Sequence, residues 1–181
     1  KQIYNQLIRR LTTNPGSTKA VESNIKVVVL SLFVAFMLTI MPLPEWMVEF
    51  RPDWVTLVLI YWAMALPTRV GVTIAWLTGL MLDVSHGAIL GQHALGLMLV
   101  IYIVHIQHQR LRVVSLVQQA IVIFILLLLK QLIVLWVSGI VGHAPDTWLY
   151  FMPTLTGALL WPWIYIILRD LRRKFGYRVD F

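Results

Sequence analysis

The chain has 181 residues, of which 59% are apolar and only 13% are charged, and its formal net charge is +7. A typical soluble domain has roughly 25% charged residues, and a fold of this size could not cover so apolar a sequence with polar surface. The composition therefore excludes a soluble globule, and the lack of cysteine excludes disulfides, thiolate metal sites and cysteine nucleophiles.

Residues 1–23 precede the first apolar stretch. Ile3, Leu7, Ile8 and Leu11 recur at helical spacing beside basic residues, which favours a short amphipathic cytoplasmic segment on the membrane surface. Turn-forming residues at 14–16 (NPG) predict that this helix ends before the membrane begins.

Six apolar stretches follow, each a candidate membrane-spanning helix, since about 20 apolar residues cross a hydrocarbon core about 30 Å thick. They cover residues 25–41, 54–66, 70–82, 88–106, 113–141 and 148–168. Residues 67–69 (PTR) separate the second from the third, because proline and a charge are both costly inside a helix in lipid. The predicted fold is an all-α integral membrane protein with six helices, followed by a basic cytoplasmic tail over residues 169–181.

The distribution of basic residues supports this count, because Lys and Arg accumulate in short cytoplasmic loops. With six spans, every basic residue except Arg51 and Lys130 falls on one side of the membrane. Both termini are then cytoplasmic, and the basic residues form a collar against anionic lipid headgroups. Membrane lipids are therefore expected as neighbours, and nucleic acid is not expected as a partner.

Lys130 is the only charged residue deep in a predicted span, past its midpoint. A lysine at the centre of a span costs about 2.5–3.5 kcal/mol on insertion scales, so its side chain should face the bundle, a cavity or a partner. Three interpretations are open: the side chain extends to the interface unpaired, forms an ion pair within the chain, or contacts a ligand or partner. Asp83, at the outer end of the third helix, is a plausible partner for the ion pair.

Small residues mark the junction of the third and fourth predicted helices. Gly87 and Gly91 form a small-xxx-small pair at the start of the fourth helix, and Gly79 lies on the third. Glycine lets backbones approach closely in lipid, so this pattern serves either packing within the chain or docking of a partner helix.

The sequence offers little for catalysis. It has no glycine-flanked serine elbow and no glycine-rich phosphate loop, and its connections are too short for a catalytic domain. His86 and His143 could in principle converge with Asp83 and Asp146, but nothing in their spacing fixes a metal geometry. An enzyme is therefore not predicted, and neither a metal nor a cofactor is expected.

Four ordered segments resemble the rod-shape-determining membrane protein family MreD. They are residues 51–54 (RPDW), 61–72 (YWAMALPTRVGV), 79–83 with 87–91 (GLMLD and GAILG), and 160–163 with 168–169 (LWPW and LR). The resemblance covers most of the chain between residues 25 and 173.

The resemblance implies a non-enzymatic component of the bacterial cell-elongation machinery in the inner (cytoplasmic) membrane. It implies a bundle similar to the substrate-capture (S) component of energy-coupling-factor transporters. It also implies that the direct partner is MreC, a single-span protein with a periplasmic domain. MreB, RodZ, RodA and the cognate transpeptidase of RodA would act alongside it, so that peptidoglycan synthesis maintains a rod shape.

A partner-binding site follows as a hypothesis, in which residues of the outer face dock the partner's helix. The candidate residues are Gly87, Gly91, Arg51, Asp53 and Asp83. Arg51 has a second interpretation, in which it pairs with Asp53 or caps a helix. The alternative function is a substrate-capture subunit of a small-molecule transporter, in which Lys130 binds a carboxylate.

Overall fold

The computed structural model describes residues 15–140, 142 and 148–175, and it is helical throughout apart from the connections. Its long helices are α1 (Pro15–Ile40), α2 (Trp54–Ala65), α3 (Val72–His86), α4 (Gln92–Val113), α5 (Leu116–Ile140) and α6 (Met152–Phe175). A single helical turn, Glu45–Val48, precedes α2, and a 3₁₀ turn, Trp148–Phe151, precedes α6. The prediction of six helices in this order is confirmed for the described part of the chain.

The ends of all six helices differ from the predicted spans, and the differences are largest in α1, α4 and α6. α1 begins at Pro15, a residue that suits the first turn of a helix, so residues 15–23 continue the first helix instead of forming a separate segment. Residues 1–14 lie outside the described part of the chain. α4 begins at Gln92 instead of residue 88, and α6 runs to Phe175, so part of the predicted basic tail is helical.

α2 lies at the centre of the bundle. Residues 55–64 are all buried, and α2 packs against α1, α4 and α6. A helix that is apolar all round belongs in such an interior position. Polar contacts fix it there, since the Trp62 indole N–H donates to Ser31 Oγ on α1 at 2.7 Å. α3 lies at the edge and packs chiefly against α4.

The outward faces of the other helices carry large apolar side chains. Examples are Phe33 on α1, Met81 on α3, Tyr102 on α4, Trp136 on α5 and Trp163 on α6, each more than half exposed. Two stretches, Leu116–Ile140 and Trp148–Lys174, are long and apolar enough to cross a membrane, and Ile25–Ile40 and Trp54–Ala65 are shorter apolar helices. Monomeric soluble proteins rarely expose apolar surface of this extent, so these faces suit lipid.

Consecutive helices run in opposite directions, so their connections lie at the two ends of the bundle, and these ends carry charged residues of opposite sign. We call one the carboxylate end, where Asp53 precedes α2 and Asp83 lies in the last turn of α3. We call the other the arginine end, which carries Arg69, Arg110, Arg112, Arg169, Arg172 and Arg173. Arg112 of α4 contacts the Met64 carbonyl of α2 there, whereas Lys130 of α5 contacts Asp53 at the opposite end.

Candidate functional site at the carboxylate end

Lys130 is paired inside the bundle. Its ammonium donates to Asp53 Oδ2 and, at 2.8 Å, to Thr56 Oγ1. The Thr56 hydroxyl donates in turn to Asp53 Oδ2 at 2.6 Å, which closes a triangle of polar contacts. The Lys130 side chain is 4% exposed and that of Asp53 is 22% exposed. The interpretation in which Lys130 forms an ion pair within the chain is therefore confirmed, but its partner is Asp53 instead of Asp83, and the interpretation in which it extends unpaired to the interface is wrong.

Asp53 also caps α2. Its Oδ1 accepts the Thr56 backbone N–H at 3.2 Å, in the position of an N-cap residue. A carboxylate at this position satisfies a free helix donor and interacts favourably with the helix dipole. The Lys130–Asp53 pair therefore joins the middle of α5 to the N-terminus of the central helix.

The start of α2 is recessed within the bundle. Asp53, just before α2, contacts α5 at Lys130, whereas Gln92, at the start of α4, contacts α5 at Ser138. At 1.5 Å per residue, Ser138 lies about 12 Å beyond Lys130 along the axis of α5. α2 has only 12 residues and is therefore about 18 Å long. The connection that leads into α2 must descend into the bundle, where non-helical backbone has to be covered by protein or line a cavity.

A cavity of about 360 Å³ occupies this recess. Its lining includes the Lys130–Asp53 pair, His93 and Gln92. The Gln92 side-chain amide donates to Ser138 Oγ at 2.7 Å and so links α4 to α5. The polar wall of the cavity is thus built from groups that also hold the helices together.

Asp83 caps α4 from the neighbouring helix. Its carboxylate accepts the backbone N–H of Gly91 at 2.8 Å and that of His93 at 2.7 Å, and the His93 ring nitrogen Nδ1 lies 2.9 Å away. Gly91 is the N-cap residue of α4 and has no side chain that could satisfy these donors. Asp83 takes over that function, and its side chain is fully buried.

The two loop glycines occupy a turn instead of a helix. Gly87 ends α3 with a φ of +61°, and Gly91 precedes α4 with a φ of +102°. Both values lie in the left-handed region that favours glycine. The prediction of a small-xxx-small pair at the start of a helix is therefore wrong at Gly87 and Gly91.

Close packing uses other glycines. A Cβ on Gly79 would overlap the backbone of Ala94, so Gly79 is where α3 and α4 approach each other, which confirms packing within the chain at this position. A Cβ on Gly96 would lie 2.9 Å from Lys130 Cγ, so this glycine makes room for the lysine stem.

Arg51 caps the C-terminus of α1. Its guanidinium donates to the carbonyl oxygens of Thr39 and Met41, which have no helical partner beyond Ile40. The second interpretation of Arg51, as a helix cap, is confirmed, whereas the partner of Asp53 is Lys130.

Several residues of the site were not predicted from the sequence. Thr56, Gln92, His93 and Ser138 all contribute polar contacts. A usable signal for Thr56 lay in Asp53, since an aspartate directly before an apolar run is typical of a helix N-cap, whose side chain accepts a backbone N–H two or three residues later. Within the described ranges no three His, Asp or Glu side chains form a group suited to a metal, and His143 and Asp146 lie outside those ranges.

Residues 22–171 match the family model described as rod shape-determining protein MreD. A relative with that name from Haemophilus influenzae is 34% identical over 147 residues, which cover 81% of this chain and 91% of the relative. The chain belongs to the MreD family. No solved structure matches it.

Membership of the MreD family places the chain among membrane proteins with a role in rod shape determination that are not known as enzymes. The range matched by the MreD model includes Asp53, Asp83 and Lys130 and therefore the whole site described above.

Proposed function

We propose that the chain is a non-enzymatic scaffold of the cell-elongation machinery, which binds MreC and helps to maintain rod shape by organising peptidoglycan synthesis. MreB, RodZ, RodA and its cognate transpeptidase are the further members of this assembly. The arginine end lies in the cytoplasm, since Lys and Arg accumulate on that side of a bacterial inner membrane. Both ends of the chain are then cytoplasmic.

The observation that carries this proposal is how the buried charges are used. Lys130 and Asp53 neutralise each other, and Asp83 is satisfied by backbone donors of α4 and by His93. These groups stabilise the bundle, and between its two ends the surface that remains for a neighbour consists of apolar helix faces. The alternative function, a substrate-capture subunit, depended on Lys130 to bind the carboxylate of a substrate, but Lys130 is already paired with a carboxylate of its own chain. The comparisons also give this alternative no support.

The face we assign to MreC lies on α3. Leu77, Met81 and Val84 recur at helical spacing and are all more than half exposed, and α3 packs chiefly against α4. A single transmembrane helix needs only such a strip of surface, where van der Waals contacts drive association in lipid. α3 leads directly into the turn that contains Gly87 and Gly91, so this turn lies where the partner's chain would leave the membrane.

The candidate partner-binding residues then have two kinds of role. Gly87 is exposed in the turn and could touch the partner, whereas Asp83 is buried and acts by fixing the start of α4. Arg51 and Asp53 act likewise by fixing the end of α1 and the start of α2.

The proposed bundle architecture is that of the S component of energy-coupling-factor transporters. Six helices that alternate in direction with short connections support this likeness. An experimental structure that superposes on such a subunit over all six helices tests it, and a different helix order would contradict it.

Site-specific photo-crosslinking in cells that express MreC tests the function and the face together. A photoreactive residue at Met81, 63% exposed on α3, is compared with one at Trp163, 70% exposed on α6. We expect an MreC adduct from Met81 and none from Trp163. Adducts from Trp163 alone would refute the α3 face, and a lack of MreC adducts from exposed positions on every helix would refute MreC binding.

A further inference from the structure

A second cavity of about 360 Å³ lies at the arginine end. It forms where the ends of α2, α4 and α6 meet the beginning of α5, and Tyr61 and Gln119, both buried, contribute to its wall. Its lining contains four arginines, which are Arg112, Arg169, Arg172 and Arg173. No Asp or Glu of the described residues lines it. The cavity has the size of a small-molecule site, for which about 300–1,000 Å³ is usual.

The wall of this cavity is held in place by contacts between helices. Arg112 donates through two guanidinium nitrogens to the Met64 carbonyl, which lies in the last turn of α2. The Gln119 amide donates to the Leu111 carbonyl at 2.7 Å and accepts the Trp161 indole N–H at 3.3 Å. These contacts tie α2, α4, α5 and α6 together around the cavity.

The three α6 arginines crowd positive charge into one turn. Arg169 precedes Arg172 and Arg173 by three and four residues, so their side chains are neighbours on the helix surface and repel one another. The nearby carboxylate of Asp170 lies 3.4 Å from Arg169, with both side chains about half exposed. An exposed pair of this kind contributes little, so an anion bound between the arginines would relieve their repulsion.

Phosphate is the anion that this arrangement suits. Guanidinium groups present planar pairs of N–H donors that match phosphate oxygens, and basic pockets between transmembrane helices bind phospholipid headgroups. Apolar side chains lead up to the arginines, since Ile166 is exposed one turn before Arg169 and Leu159 is exposed two turns before Ile166 on the same side of α6. A lipid with its phosphate at the arginines would lay its acyl chains along this face, whereas a free phosphate would make no use of it.

We propose that this cavity binds the phosphate of an anionic phospholipid and thereby fastens together the arginine ends of α2, α4 and α6. The site is independent of the surface assigned to MreC and would operate in the isolated chain.

The test is a titration of the purified full-length chain in neutral detergent with phosphatidylglycerol or with phosphatidylcholine, with binding measured by native mass spectrometry. The double variant R169Q/R172Q removes two charges from the cavity. The matched control R110Q/K174Q removes two charges from exposed positions at the same end that do not line it. The single variant R173Q provides a milder change if the double variant folds poorly.

We expect phosphatidylglycerol to bind more tightly than phosphatidylcholine to the unaltered chain. Because charge-assisted hydrogen bonds are lost, R169Q/R172Q should weaken phosphatidylglycerol binding by about tenfold or more, with a smaller loss in R173Q. The R110Q/K174Q control should bind as the unaltered chain does.

Equal losses in the two double variants would overturn the proposal, because they would indicate a diffuse charge effect. Competition by millimolar glycerol phosphate as strong as that by the lipid would also overturn it in favour of a soluble phosphate ligand. If phosphatidylglycerol does not bind and R169Q/R172Q instead abolishes co-purification with MreC, the cavity receives an acidic protein segment and the lipid assignment is wrong.

Discussion

Replacing Lys130 by methionine keeps the length of the side chain but leaves the Asp53 carboxylate without its cation. Removal of one member of a buried ion pair costs about 3–5 kcal/mol. Asp53 is 22% exposed and keeps its bonds from Thr56, so we expect Lys130→Met to cost about 3 kcal/mol, at the lower end of that range. Asp53→Asn keeps a side chain that can cap α2 but leaves an ammonium that is only 4% exposed without its anion, so its cost should be near about 5 kcal/mol, at the upper end of that range.

The double variant K130M/D53N allows the interaction energy between the two charged side chains to be measured apart from their other contacts. Neither charge remains unpaired in it, so its loss of stability should be smaller than the sum of the two single losses by about 2 kcal/mol. Equilibrium unfolding of the purified chain in mixed detergent micelles measures all four free energies of unfolding. Lys174→Met, which changes an exposed lysine at the arginine end, is the control and should stay within about 0.5 kcal/mol. A neutral Lys130→Met, or single losses that add to within about 0.5 kcal/mol, would refute the structural role of the pair.

The same unfolding assay tests three further positions. Gly79→Val should destabilise the chain by about 1–3 kcal/mol, because the new side chain would overlap α4. The control Gly139→Val should cost less, since a Cβ at Gly139 contacts nothing, and equal effects of the two variants would contradict close packing at Gly79. Asp83→Asn should cost about 1–3 kcal/mol through the loss of charged acceptors for α4, with exposed Asp170→Asn as a near-neutral control, and a neutral Asp83→Asn would refute its capping role. Gly87→Val should destabilise more than Gly87→Asn, since asparagine tolerates the left-handed region, and the reverse order would argue against the turn geometry.

The sequence predicted the helices well where strong local signals exist. Pro67 and Arg69 mark the break between α2 and α3, which end and begin at Ala65 and Val72. The apolar stretch within each helix was likewise predicted from the sequence. Helix ends were harder to place, because the polar residues before Val113 and after Leu168 stay helical beyond the apolar stretch.

The partner of Lys130 could not be found by counting residues. Asp83 has a suitable position along its own helix, but α2 starts deep in the bundle and brings Asp53 to Lys130 instead. The depth of one helix relative to another is a property of the tertiary structure, so it cannot be predicted from the sequence of either apolar stretch alone. Gly87 and Gly91 were misassigned for a related reason, since their spacing fits a helix and only the positive φ angles show a turn.

The proposal as a whole depends on a chain that crosses the membrane six times, with the arginine end in the cytoplasm and apolar faces exposed to neighbours. Because the chain has no cysteine, a single introduced cysteine reports its own location. Arg110→Cys, Lys174→Cys and Leu90→Cys are treated with a membrane-impermeant maleimide in cells whose inner membrane is intact. We predict that the maleimide labels only Leu90→Cys, and that Arg110→Cys and Lys174→Cys react only after the inner membrane is opened. Labelling of Arg110→Cys and Lys174→Cys from opposite sides would contradict the account.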